Sequence, residues 1–415
     1  MRLPEDVRDV NAAAVVCGRG AAAATRLVRD THVAIAARAF SLAGPAARPA
    51  HRMHDGISTG VYAAVSGGAR LAAAGVGVIA SARAATTPGR RPITDRPRGN
   101  VVVGAINGAW GDHLEQWANP LALPMTLRAG GADVTIDRGG LAAAFPAATG
   151  DLVLFVHGLC ETDVSWRLSA LDHHGDPRST HGSRLAERHG VTPLYLRYNT
   201  GRHICDNGAD LAALLPDVVA RWPVPVTRLT LVGHSMGGLV IRAACHIGES
   251  TDAPWVVLVR RIVYLGSPHL GAPLEVAVRA AGAALRRLPE TRPLANALAS
   301  RSVGIKDLRF GDITADDWAD VTDLDGWRAE PTECTPLLAT ADHYYVGATI
   351  GRRNDTVAAR VIGDALVPWS SASGSGRRRR LALDIDRGRH LGGLHHFDLL
   401  NHPRVYAVLE EWLAD

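Results

Sequence analysis

The stretch Gly233-His234-Ser235-Met236-Gly237 places one serine between two glycines, after the apolar run Leu229–Val232 and before a helix-like stretch at 236–248. A serine hydroxyl is a poor nucleophile at neutral pH. It needs a base, and the base needs an acid to orient it. The Gly-x-Ser-x-Gly spacing alone is expected by chance about 0.2 times in a chain of this length, so its weight comes from context. That context is a buried strand running into a helix through a sharp turn. Side chains at Gly233 and Gly237 would collide with neighbouring backbone in such a turn. A helix opening near Met236 would aim its free amides and its positive dipole end at a developing oxyanion. The other reading of Ser235 is an ordinary tight turn.

The partners are sought later in the chain, in the order Ser, Asp or Glu, His. Asp364 lies between Val361-Ile362 and Leu366-Val367-Pro368, where a buried segment emerges, and can accept an imidazole Nδ1–H. Asp342 and Asp355 compete with it, and a turn or cap aspartate is the plain alternative. His396 sits past the last strand and ahead of a helix with Pro403 in its first turn; His390, His395 and His402 are rivals for the base. His157-Gly158-Leu159 closes the run "LVLFVHG", and the backbone N–H groups of Leu159 and Met236 are assigned to the oxyanion hole. His157 itself reads as a residue that holds its loop.

These residues require elements that bring them together. From about residue 100, short apolar runs alternate with longer helical patterns, which predicts βαβ units and a mostly parallel sheet. Strands are expected at 151–158, 193–199, 229–235, 260–268, 343–350 and 381–385, with helices at 209–222, 236–248 and 403–414. Residues 269–342 interrupt the alternation and read as a cap or lid insertion. Residues 1–99 form an Ala/Arg-rich extension, helical to about residue 83 and then a proline-containing linker. Domains are therefore expected at 1–99 and 100–415.

The 415 residues include 45 basic and 41 acidic side chains, a net charge of +4, which makes no case for nucleic-acid binding. Five scattered cysteines form neither a disulfide framework nor a metal knuckle and suit a reducing, cytoplasmic setting. The N-terminus lacks the order of a secretory signal. The nearest approach to a spanning helix, Val61–Ala82, is interrupted by Arg70 and diluted by alanine and glycine. Residues 1–83 read as a helical hairpin, with peripheral attachment to a membrane or lipid surface as the sharper alternative.

In order, "FVHGL", "GHSMGG", "GSPHLGAP", "GDALVPWSS" and "HHFDLLNHPRVY" resemble the blocks of α/β-hydrolase lipases and esterases, in particular the group similar to triacylglycerol lipases and GPI-inositol deacylases. The resemblance covers roughly residues 118–415. It implies a Ser-Asp-His triad, carboxylic-ester hydrolysis and no required organic cofactor. Ser235 matches the nucleophile, Asp364 the acid and His396 the base, although adjacent His395 leaves room for a slip of one.

Other signals are weaker. His173, His174 and His181 with Asp172 and Asp176 match no common closed metal site, so no metal is expected. Arg377–Arg380 read as a solvated loop, with docking to anionic headgroups as the rival. "YNTGRHICDNG" at 198–208 has the composition of an active-site loop but no nameable contact. The function expected is cleavage of lipid or other hydrophobic acyl esters through an acyl-enzyme. The alternatives are an acyltransferase using the same triad and a non-catalytic, membrane-associated scaffold.

Overall fold

The computed structural model describes residues 5–42, 44–85, 92–326, 328–353 and 363–413. Two compact units emerge: Met1–Gly99 with Gln116–Leu121 and Val276–Arg301, and Asn100–Glu115 with Ala122–Glu275 and Ser302–Asp415. The stretch 269–342 is thus shared between them, residues 276–301 grouping with the N-terminal helices.

The larger unit is built on one eight-stranded sheet in the order β2-β1-β4-β3-β5-β6-β7-β8. The strands are β1 (Thr126–Ala129), β2 (Ala132–Asp133), β3 (Asp151–Val156), β4 (Thr192–Arg197), β5 (Arg228–His234), β6 (Val259–Leu265), β7 (Asp342–Thr349) and β8 (Gly388–Gly392). From β4 to β8 every neighbour pair is parallel, whereas β1 runs antiparallel to β2 and β4. This is the mostly parallel, helix-flanked sheet of the α/β-hydrolase fold.

Alternation along the central strands explains why both faces are covered. On β3, Leu152, Leu154 and Val156 join one core with Leu211, Leu215 and Leu239, while Val153 and Phe155 join the other with Leu185, Val405 and Leu409. In chain order the helices are α1 (Glu5–Leu42), α2 (Arg48–Ala85), α3 (Pro97–Gln116), α4 (Arg138–Ala144), α5 (Ala170–His174), α6 (His181–His189), α7 (Ile204–Arg221), α8 (Met236–Ser250), α9 (Pro273–Leu285), α10 (Arg292–Ala299) and α11 (Val303–Asp307). A C-terminal helix, Pro403–Leu413, buries Val405, Tyr406, Leu409 and Trp412.

The expected strand at 381–385 does not form. Leu381 N–H donates to the Gly374 carbonyl and a Ser375–Arg380 bridge folds the segment on itself, so its backbone is satisfied away from the sheet. The strand beside β7 is instead β8, whose Gly388 lies where a Cβ would meet the Tyr345 ring at 2.2 Å. The β1–β2 hairpin was not expected either. Its Gly130-Gly131 turn has φ of +59° and +84°, the backbone that a two-residue hairpin loop requires.

In the smaller unit α1 and α2 are long partners, joined by the turn at Pro45–Ala47. The Arg48–Ile79 part of α2 is long and apolar enough to cross a membrane by length and composition, and 6 % of its most apolar window is buried.

Gly208 of α7 lies so close to α8 that a Cβ there would stand 2.4 Å from the Ala243 Cβ. Gly208→Val should therefore lower stability by about 1–3 kcal/mol, read as a lower urea midpoint at unchanged m value.

Candidate active site

β5 ends at His234 and α8 begins at Met236, leaving Ser235 alone in the turn with φ 52° and ψ −124°. A non-glycine residue held there is strained, and the strain projects its side chain from the end of the sheet. The glycines are required by contact. A Cβ on Gly233 would lie 2.5 Å from the Gly238 nitrogen, and one on Gly237 would lie 2.2 Å from the Val156 carbonyl oxygen. Ser235 N–H donates to the Leu265 carbonyl at 2.8 Å, which ties the elbow to the end of β6.

Asp364 and His396 meet through two bonds. The imidazole Nδ1–H donates to Asp364 Oδ2 at 2.7 Å, and the backbone N–H of His396 donates to the Asp364 carbonyl at 2.9 Å. The other carboxylate oxygen, Oδ1, accepts from the N–H groups of Leu366 and Val367 at 3.0 and 2.8 Å. Burial alone would push this carboxyl upward. The charge and hydrogen bond of His396, with the two amides, hold it below the ordinary carboxylate range. With Nδ1 committed as donor, Nε2 is the ring's acceptor. The ring stands beside the end of β6: a Cβ on Gly266 would lie 3.2 Å from His396 Cε1.

The rivals lie elsewhere. His395 is exposed and caps its own 3-10 turn, its N–H donating to Asp398. His390 bonds Thr349, and His402 packs against His173. Asp342 pairs with Arg387 at the start of β7, and Asp355 lies outside the described residues.

The loop after β3 carries the Leu159 amide. Gly158 N–H donates to Glu161, Cys160 N–H to Thr200 Oγ1 and Thr162 N–H to Ser165. Among the described residues no group accepts from the Leu159 N–H. Met236 N–H opens α8 beside Ser235. His157 is fully buried and stacks on Tyr198 at 4.4 Å, while the Tyr198 O–H donates to the His157 carbonyl at 2.7 Å. Burial holds this imidazole below its usual range, in keeping with a residue that supports the loop. The 198–208 segment, whose contacts the sequence left open, therefore props the loop through Tyr198 and Thr200.

Two residues at the centre were missed: Glu161 and His234. Glu161 accepts the Gly158 N–H at 2.7 Å and pairs with His234 Nδ1 at 2.9 Å. His234 Nε2 reaches the His396 carbonyl at 3.2 Å. One ion pair thus joins the loop after β3, the end of β5 and the His396 backbone. Both groups are buried, which disfavours charge. The Glu161 charge and hydrogen bond nonetheless raise His234 above the usual imidazole range, and His234 holds Glu161 below the usual carboxylate range. The available signal was two oppositely charged side chains within the two loops expected to converge.

The histidine-rich cluster has a bracing role. His181 Nε2 bonds the Leu399 carbonyl at 3.2 Å and His174 Nε2 the Asn401 carbonyl at 3.1 Å, on the segment that follows His396. Among the described residues no group of three metal-ligating side chains forms. The arginine run is not wholly solvated: Arg379 is buried and donates to the Phe310 carbonyl, while Arg378 faces Glu330.

Residues 147–283 match the family described as a PGAP1-like alpha/beta domain, in agreement with the resemblance read from the motifs. No curated protein matches the chain significantly. Solved structures similar to it include the mature Bacillus licheniformis lipase BlEst2, at 19 % identity over 65 % of this chain and 93 % of that one, with a TM-score of 0.41. A metagenomic carboxyl esterase, MGS0156, is 16 % identical over 64 % of this chain and 75 % of that one, with a TM-score of 0.37. YbtT, a type II thioesterase from the Yersiniabactin pathway, is 16 % identical over 64 % and 92 %, with a TM-score of 0.36.

The Glu161–His234 pair has a pH signature. Glu161, depressed on folding, contributes above its unfolded pKa of about 4.3, and His234, raised on folding, contributes fully below its unfolded pKa of about 6.5. The contribution should fade as pH rises through the folded pKa of His234. Glu161→Gln should cost about 3–5 kcal/mol within that window and should flatten the alkaline decline in Tm expected of the wild-type chain.

Proposed function

We propose that the protein is a serine hydrolase of carboxylic esters that works through Ser235, His396 and Asp364. The observation that carries this reading is the pair of hydrogen bonds between His396 and Asp364, with the histidine tied through His234 to the strained strand-to-helix turn that holds Ser235. Ser235 Oγ attacks the acyl carbonyl while His396 Nε2 takes its proton. Asp364 fixes the tautomer and stabilises the imidazolium as it forms. The amides of Leu159 and Met236 bind the oxyanion. As the tetrahedral adduct collapses, the alcohol leaves with the proton from His396, and an acyl-Ser235 remains. Water then attacks that ester with His396 as base, releasing the acid and restoring the serine. No organic cofactor or metal enters the scheme.

The substrate class is lipid or another hydrophobic acyl ester. This rests on the apolar share of residues 269–342, rich in alanine and leucine. An acyltransferase would use the same triad with an alcohol in place of water, and product analysis in the presence of added alcohol separates the two.

Ser235→Ala should lower turnover of p-nitrophenyl esters on the order of 10⁶-fold and abolish labelling by a fluorophosphonate probe, with the fold unchanged by circular dichroism. Turnover retained in that variant would overturn the assignment. Asp364→Asn should lower kcat on the order of 10⁴-fold. In the wild-type chain kcat/KM should fall as pH drops through about 6–7, and a rate still flat at about pH 4 would exclude a histidine base.

A further inference from the structure

The α1–α2 pair places its small and polar groups between the helices and its large apolar groups outside. A Cβ on Gly77 of α2 would lie 2.8 Å from the Ala14 Cβ of α1, and one on Gly18 would lie 3.2 Å from the Ala73 Cβ. Further along the pair, His32 and His54 approach Nε2 to Nε2 at 3.3 Å, and Tyr62 O–H reaches His32 Nδ1 at 3.2 Å. Ser58 is buried in the same layer. Meanwhile Met53, Ile57, Val61, Val65, Val76 and Ile79 are each 54–66 % exposed. Leu71 and Val78 are exposed as well, so a stripe of large apolar side chains recurs along the exposed side of α2 from Met53 to Ile79. A helix pair that folds for water alone reverses this arrangement. Small residues at the contact, polar groups bonding across it and apolar groups outward are what an apolar solvent selects.

Charge identifies the solvent. From Gly56 to Ala82 the only charged residue is Arg70. Its stem runs past Gly18 of α1, with Cγ 4.0 Å from a Cβ built there, and so lies away from the stripe. Before the stripe stand Arg48 and Arg52. After it, in sequence, come Arg83, Arg90, Arg91, Arg96 and Arg98, with Asp95 among them. A parallel second copy on this face would set Arg48 and Arg52 against their own counterparts, with Asp55 alone to offset them. Anionic headgroups would meet the same arginines with opposite charge.

We propose that α2 lays this stripe into the surface of a bilayer containing anionic lipid. The helix lies in the interface and does not span, because α1, its partner, carries Arg8, Arg19, Arg26, Arg29 and Arg38, which the hydrocarbon core excludes. The proposal is independent of the ester chemistry, since it concerns a surface that a catalytically dead chain would also display.

The test is flotation of the full-length chain with vesicles of phosphatidylcholine alone or with about one third phosphatidylglycerol, where the anionic lipid should raise the bound fraction about tenfold. Val65→Asp with Ile79→Asp should abolish binding while helicity and p-nitrophenyl ester turnover stay unchanged. Arg48→Gln with Arg52→Gln should weaken binding to the anionic vesicles alone, as should added salt. Failure to float with either vesicle overturns the proposal, as does binding that the double aspartate variant leaves intact. A concentration-dependent dimer that this variant splits, without vesicle binding, would also overturn it and assign the stripe to a second copy.

Discussion

A carboxylate taken out of water must find compensation or give up its charge, and Glu161 is almost wholly enclosed. Its compensation comes from the amide of Gly158 and the imidazole of His234, and these two partners belong to different loops. The bond to Gly158 fixes the backbone on which the Leu159 amide is carried. The bond to His234 fixes the residue next to Ser235. Because the far nitrogen of the same imidazole meets the His396 carbonyl, the third loop is drawn in as well. Three segments spread over more than two hundred residues are thus held by one electrostatic requirement.

The two carboxylates at this end of the sheet are treated differently by their surroundings. Asp364 spends one oxygen on two amides and the other on a ring nitrogen, so it is anchored as well as charged. Glu161 has no role at a reacting atom in the scheme drawn above; it works through what it holds. The same division runs through the histidines. His396 has one nitrogen pinned and the other available, whereas His157, His181 and His269 are enclosed and kept neutral by burial. Chemistry and scaffolding are separated here by how many of a side chain's atoms are already spoken for.

Much of this was readable in the chain. β3 and β5 announce themselves as apolar runs because both faces of a central parallel strand are covered. The elbow was readable because glycine on either side of a serine has a steric cause, now visible as the approaches of Gly233 and Gly237 to backbone atoms. β8 was not readable, since Gly-Arg-His-Leu-Gly has almost no strand propensity and forms by pairing along β7. Leu381–Ile385 looks like a strand, but its backbone bonds are satisfied locally. The choice between His395 and His396 could not be made from adjacency; it depends on which backbone N–H the Asp364 carbonyl receives. Glu161 and His234 stayed hidden because pairing across seventy-odd residues leaves no periodic mark.

The margins of the sheet have a consequence of their own. One margin is β2, two residues long, with Asp133 neutralised by Arg128 and Arg197. The other is β8, in which two terminal glycines flank Arg389, His390 and Leu391. Unpaired strand edges invite another chain to add on, and short, charged or glycine-rich margins discourage it. A protein with so much exposed hydrocarbon on α2 thereby keeps its β-structure from becoming a second route to self-assembly, so that any polymerisation must begin somewhere other than the sheet.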